Sequence, residues 1–383
     1  MSPGLLENIK LLLSSYNKFG LKTFESGLKV GENIFISPIG LALAIALLLN
    51  GVDQETEDAI RSALLPEDEQ ISQEIFNSTN KEIIKEITRP RDIVNIDIAI
   101  SGWFMKGMKI EQGFKKMAEE YYKSELYIQD FTDKQVVKSI NSWVKEKTNG
   151  KILSIVSYDD IQQSEMNLLL LNVIYFKGIW VKQFDEENTK PEPFYMENGK
   201  EKIIQMMEQD NLFLYAKKDA LEIVTMTYGK GLIGSTHAYI ILPAESITLK
   251  ELVETLDYNT IMNLLDFHSL EIHAGVLKVP KFTIESKIDL TELLKEQGME
   301  KIFDRNANFS KMTQEQTNIQ SILQKTVVTF NEKGTEIATV TEVRGIGGMP
   351  PPFTMTVNRP FMVIIIHGNS IKTMLYLGCV YDP

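Results

Sequence analysis

NEKGTEIATVTEVRGIGGMPPP occupies residues 331–352, and its middle, TEIATVTEVR at 335–344, is a strand pattern set among loop residues. One parity is Thr335, Ile337, Thr339, Thr341 and Val343, all β-branched. The other is Glu336, Ala338, Val340, Glu342 and Arg344, mostly polar or charged. β-Branched side chains are stiff at χ1 and pack well on a pleated surface, so a period of two gives one packing face and one wet face. Yet Glu332, Lys333 and Gly334 precede the segment and GIGGMPPP follows it, a run that favours exposed loop. The segment reads as one that can enter a sheet without starting there.

The bulk numbers frame that reading. The chain has 383 residues, 43% hydrophobic and 24% charged, an ordinary soluble globular composition. A chain this long buries most of its apolar surface without staples. Its single cysteine, Cys379, allows no internal disulfide, which fits a reducing compartment without excluding secretion. The net charge of −12 argues against nucleic-acid binding, because phosphate contacts need a basic surface. MSPGLLENIKLLL at the start has no basic n-region and no small-residue cleavage site. Leu5, Leu6, Ile9, Leu12 and Leu13 recur there at helical spacing, so an amphipathic helix is expected. The compartment stays open: a chain kept inside the cell, or a secreted one already processed. The apolar run 41–49 is half a membrane span and reads as a buried helix, and no membrane association is expected.

The first half reads as helical. Helices are expected at the start, from Ser37-Pro38 to about Asn50, and over 56–65, 71–87, 111–122 and 134–147, with strands at 34–36 and 94–104. Strands dominate from 166 onward. The stretch 166–175 is nearly all apolar, as a central strand covered on both faces requires. Others are expected at 203–207, 221–228, 238–242, 273–279, 281–285, 322–330, 362–366 and 373–381, with a helix over 290–297. With no repeat and no long linker, residues 1–383 are expected to form one α+β unit, a helical first part with large antiparallel or mixed sheets.

Catalytic motifs are wanting. Gly229, Gly231 and Gly234 match G-x-G-x-x-G, but STHAYIILP follows, which is strand, so a hairpin turn is expected instead of a dinucleotide cradle. His268 and His273 are five apart, a spacing that does not align two ligands on a helix face, and no metal site is expected. No G-x-S-x-G, H-E-x-x-H, C-x-x-C or P-loop occurs, so the reading is of a non-enzyme without catalytic residues or cofactor. Lys81, Lys85, Arg89 and Arg91 form a basic stripe that could touch a sulfated polysaccharide. Interleaved acids favour a solvated helix face, and polysaccharide binding is not expected. Met206-Met207 reads as core packing.

Several blocks, in order from Asn33 to the C-terminus, resemble the serpin family. They are NIFISP at 33–38, INSWV at 140–144 with TNGKI at 148–152, LNVIYFKGIW at 171–180, VPKF at 279–282, Gly298-Met299 and NRPF at 358–361. Above all, NEKGTE at 331–336 resembles the hinge of the reactive-centre loop, so the loop with its hinge is expected at 332–357. The resemblance implies the serpin fold, a mobile loop offered to a target protease as substrate, and a metastable sheet into which the cut loop inserts, leaving a covalent complex. It also implies a monomer.

The resemblance assigns roles. Glu332, Gly334, Thr335, Ile337 and Thr339 would be the hinge. Glu332 would pair with Lys281 at the top of the sheet beside Trp180. Ser37, Asn172 and Gln324 would form the polar cluster beneath the strands that part. The chain departs from the family pattern where alanines are usual, with Ile337, Thr339 and Val340, and in the cluster, with Gln324 for a histidine and Gly40 for a serine. Counting forward from Glu332 puts cleavage at Gly348, and counting back from Pro360 puts it at Met349. Pro350 on the leaving side disfavours cleavage after Met349, so the Gly348–Met349 bond is preferred; Arg344 would suit a trypsin-like protease but leaves a short insert. The target expected is elastase-like or chymotrypsin-like, with papain-like cysteine proteases, or a non-inhibitory carrier or chaperone role, as alternatives. The span from Gly334 to Gly348 would reach ~50 Å when extended, enough to cross a domain.

Overall fold

A computed structural model of the chain describes residues 2–53, 55–66, 71–91, 93–163, 167–229, 236–334 and 352–383. Helix α1 (Pro3–Gly27) is capped by Ser2 and buries Leu12, Tyr16, Phe19 and Phe24 along one stripe. After strand β1 (Ile34–Ile36), Ser37 accepts the Gly40 N–H at 3.2 Å and opens α2 (Pro38–Leu49). Every α2 residue is buried, as its unbroken apolar run requires. Then come α3 (Glu55–Leu64), α4 (Gln73–Ile87), β2 (Val94–Met105), α5 (Gln112–Tyr122), β3 (Glu125–Gln129), α6 (Gln135–Lys147), α7 (Tyr158–Gln163) and β4 (Leu168–Gly178). The remainder is mostly strand: β5 (Lys190–Tyr195), β6 (Glu201–Lys218), β7 (Leu221–Tyr228), β8 (Thr236–Pro243), β9 (Glu271–Pro280), β10 (Phe282–Asp289), β11 (Ser321–Phe330), β12 (Phe353–Thr356), β13 (Phe361–His367) and β14 (Thr373–Val380). The short helices α8 (Leu249–Glu254), α9 (Tyr258–Leu264) and α10 (Thr291–Leu294) interrupt them.

The strands form two sheets. The larger runs β1-β14-β13-β8-β7-β6-β9-β12, with β5 on β6, and the smaller runs β10-β11-β4-β2-β3. Both are mixed, because β2 with β3, β4 with β11 and β9 with β12 pair in parallel. The main core joins α1 and α2 to both sheets, and α6 covers the opposite face of the five-stranded one. β4 therefore buries both parities. Leu168, Leu170, Ile174 and Phe176 face the main core, while Leu169, Leu171 and Val173 face Ile140 and Trp143 of α6.

Several elements differ from the sequence reading: β5, α7, α8 and α9 lie where no element is expected, and β12 falls within the expected loop 332–357. The strand expected at 203–207 extends over all of β6, whose successive parts pair with β5, β9 and β7. The helix expected over 290–297 is α-helical only through α10. Residues 295–299 form a wider turn that ends where Gly298 takes φ 87°, a conformation that favours glycine. No strand is expected at β3, whose residues are mostly only partly buried at a sheet edge. The G-x-G-x-x-G stretch lies where β7 and β8 pair as a hairpin, Tyr228 opposite Thr236, with Gly231 and Gly234 outside the described residues.

Candidate functional site

The five-stranded sheet has a seam at its centre. β4 and β11 pair directly at only five positions, Leu169 to Val173 opposite Ser321 to Lys325. Each continues five residues further, with a described strand only on its outer side: β2 beside β4 up to Gly178, and β10 beside β11 up to Phe330. Between the parted ends lies a cavity of about 80 Å³, lined by Ile174, Tyr175, Phe176, Val327, Thr329 and Asn331 with residues of the segment after α6. No described strand pairs with the inner edges of 174–178 and 326–330.

Below the gap, a buried polar cluster holds the seam shut. Gln324 and Asn172 are directly opposite. The Gln324 amide accepts the Ser37 N–H at 2.7 Å and donates to the Ser37 carbonyl at 3.1 Å and to Asn172 Oδ1 at 2.9 Å. All three side chains are buried. The glutamine joins β11, β4 and the start of α2 with both ends of one amide, which a single imidazole could not match in the same geometry. Gly40 belongs to the same arrangement: a Cβ there would lie 2.5 Å from Asn172 Oδ1, so glycine is what lets Asn172 sit against Ser37. Asn172 Nδ2 has no hydrogen-bond partner among the described residues.

At the open end the chain leaves β11 through a tight turn. The Asn331 side chain accepts the Lys333 N–H at 3.0 Å, and the Gly334 N–H reaches the Asn331 carbonyl at 3.1 Å. Gly334 takes φ 105° and bridges antiparallel to Ile179, just past the end of β4. A Cβ there would meet the Gly178 carbonyl oxygen at 2.5 Å, so backbone approaches backbone where no side chain fits. Glu332 is buried and receives Lys281 at 2.9 Å and the Thr189 hydroxyl at 2.9 Å. Burial pushes its carboxyl up, but hydrogen bonds from the backbone, Lys281 and Thr189 and the Lys281 charge hold it below the usual carboxylate range. Trp180 stacks on Tyr228 with centroids 4.1 Å apart, packs against Phe330 and donates its indole N–H to the Asn331 carbonyl at 3.0 Å.

Among the described residues, Glu332 pairs with Lys281, Trp180 bonds to the flanking Asn331 and Lys333 carbonyls, and Gln324 joins Ser37 to Asn172. Thr335, Ile337, Thr339, Arg344, Gly348 and Met349 lie outside the described residues. Sequence reasoning missed Thr189 and Tyr228, which carry no local motif and reach the site only through the fold. The basic stripe is neutralised: Lys81 pairs with Glu120, Lys85 with Glu82, and Arg89 and Arg91 with Glu86. Met206 and Met207 are buried in the main core.

The family model for the serpins, the serine protease inhibitors, matches residues 14–383. The chain belongs to the serpin family. Serpin B3 of Homo sapiens is 29% identical, covering 97% of this chain and 99% of the relative. The corticosteroid-binding globulin of Ovis aries is 27% identical over 92% of this chain and 80% of its own length. The native-state crystal structure of tengpin, a thermophilic serpin, superposes with a TM-score of 0.86 at 28% identity, covering 98% of this chain and 94% of that one. Many serpins inhibit proteases and some do not; as a family they are generally inhibitors, not catalytic enzymes.

Proposed function

We propose that this serpin is a suicide-substrate inhibitor of serine endopeptidases of elastase-like or chymotrypsin-like specificity. The protease serine oxygen attacks the Gly348 carbonyl carbon. The Gly348–Met349 bond breaks, the freed Met349 amine takes the proton, and an ester joins protease to serpin. The segment after Gly334 then enters the seam as a strand between β4 and β11, before water reaches the ester.

The observation that carries this reading is register. Gly334 bridges to Asn331 on one side and to Ile179 on the other, both antiparallel. Continuing both ladders sets Thr335 between Phe330 and Gly178, Ile337 between Val328 and Phe176, Thr339 between Thr326 and Ile174, Thr341 between Gln324 and Asn172, and Val343 between Ile322 and Leu170. The two ladders start independently, yet they close on the same Gln324–Asn172 pair that β11 and β4 already make. These partners include Phe330, Val328, Phe176, Ile174, Ile322 and Leu170, all in the main core. The β-branched parity would therefore be the buried one, as its chemistry requires. The first five residues fit the part of the seam that no described strand spans, and the next five replace the five existing rungs. Thr341 would bring a hydroxyl to the unpartnered Asn172 Nδ2.

Thermal unfolding tests the reading. Nicking the chain between Arg344 and Pro350 should raise the melting temperature sharply, because ten residues gain ladder bonds on both sides. A melting point unchanged by nicking would leave a carrier or other non-inhibitory role in its place.

A further inference from the structure

The sheet face that α6 covers changes character where that helix ends. Along β4, Leu169, Leu171 and Val173 pack against α6, and along β2 the same face carries Trp103 and Ala99. Two residues further on, the face turns polar: Asp97 pairs with Tyr175, and then Asn95 with Lys177. Side chains two apart on a strand share a face, so these four form one floor. α6 stops at Lys147, and the chain turns at Asn149, with φ 50°, and Gly150, with φ 76°, into Lys151. Asn149 and Lys151 line a cavity over the floor, together with Thr88 at the end of α4. Its volume is about 530 Å³, within the range of small-ligand sites.

The charges of this cavity fit one kind of ligand. Its lining carries two ammonium groups, Lys151 and Lys177, against one carboxylate, Asp97. A net positive cavity on a chain of net charge −12 draws in small anions. The carboxylate calls for something more. No hydrogen bond or ion pair to another described residue holds Asp97. Partial desolvation pushes its carboxyl above the usual range, and the Lys123 charge offsets only part of that. Thr88 donates its hydroxyl to the Ile84 carbonyl at 2.8 Å, so the Thr88 oxygen is left to accept. It also stands at the negative end of the α4 dipole, where a cation is favoured. Asp97 and Lys177 are diagonal neighbours across the β2–β4 pair, about 7–8 Å apart, so the anionic and cationic poles are distinct. We propose that this cavity binds an acidic α-amino acid, with its two carboxylates on Lys151 and Lys177 and its ammonium on Asp97. Two cations and one anion in the wall meet two anions and one cation in the ligand. The inference stands apart from the insertion reading.

Calorimetric titration of the uncleaved chain with L-glutamate, glutarate and inorganic phosphate tests the proposal. L-Glutamate should saturate one site. Glutarate keeps both carboxylates and lacks the ammonium, so it should bind about tenfold more weakly, the worth of one charge-assisted hydrogen bond. Lys177→Met should abolish the binding of both. Asp97→Asn should erase the preference, lowering L-glutamate to the affinity of glutarate while glutarate binds no worse. A damaged fold would weaken both ligands together and would show in the melting curve, so the changed ratio separates recognition from stability. Lys151→Met decides in place of Lys177→Met if that variant does not fold. Failure of L-glutamate to saturate would overturn the proposal, as would equal affinity for glutarate in the wild type or a preference that survives Asp97→Asn. Phosphate binding as tightly as L-glutamate would reduce the cavity to an unselective anion patch and overturn it as well. The inhibitor reading is untouched by any of these results, since nicking the chain tests it separately.

Discussion

Gln324→Leu keeps nearly the volume of the side chain and deletes every hydrogen bond it makes. The wild-type amide serves Ser37 N–H, Ser37 C=O and Asn172 Oδ1, all in a buried site. The Ser37 carbonyl keeps the Leu41 N–H at 3.0 Å, so Ser37 N–H and Asn172 Oδ1 are the groups left alone; at about 1–3 kcal/mol for each buried group, the uncleaved chain should lose roughly 2–6 kcal/mol. After nicking, the inserted register sets Thr341 between Asn172 and position 324. The Thr341 hydroxyl then serves Asn172 in wild-type and variant alike, and only the Ser37 N–H distinguishes them. The loss in the nicked form should be smaller, roughly 1–3 kcal/mol. Urea unfolding of uncleaved and nicked protein, each with and without the substitution, measures all four values. Equal losses in the two forms would refute the register, and a loss below about 1 kcal/mol in the uncleaved form would refute the role of Gln324 in closing the seam.

Thr335→Arg should abolish complex formation and leave the uncleaved fold intact, because a charge cannot follow Gly334 into the core face; retained inhibition on a complex gel would sink the insertion argument. Gly334→Ala should lower stability by about 1–3 kcal/mol, since φ 105° and the 2.5 Å approach to the Gly178 oxygen both exclude a side chain; chemical denaturation measures it. His367 is buried and bonded to the Thr236 hydroxyl at 2.8 Å, and burial first, then the Arg91 and His237 charges, push its pKa down to about 4. Its folded pKa is below the unfolded value, so the stability is complete above about pH 6.5 and is lost as pH falls from there toward 4, by ~3 kcal/mol. His367→Gln should flatten that limb of the pH–stability curve, and a curve unchanged by the substitution would assign the acid sensitivity elsewhere.

Much of the fold was legible because its signals are local. The strand expected at 221–228 and the Ser37-Pro38 helix start both took their expected form. β6 was not, because Glu208, Gln209, Asp210 and Asn211 break its apolar pattern just where it pairs with β9 along the larger sheet. β3, an edge strand, shows too little burial to differ from a connection. The polar cluster was implied by the family resemblance, but the exchange of three hydrogen bonds on one amide, and the reason Gly40 accompanies Gln324, exist only once α2, β4 and β11 are brought together. That the seam is open for five residues and closed for five is likewise a property of pairing, not of composition.

Mixing the chain with a chymotrypsin-like protease and resolving the products in denaturing detergent tests the inhibitory mechanism most directly. The account predicts a boiling-resistant band at the summed mass, and a released peptide whose sequence begins at Met349. A protease that cuts the segment, stays fully active and leaves no joined band would contradict it.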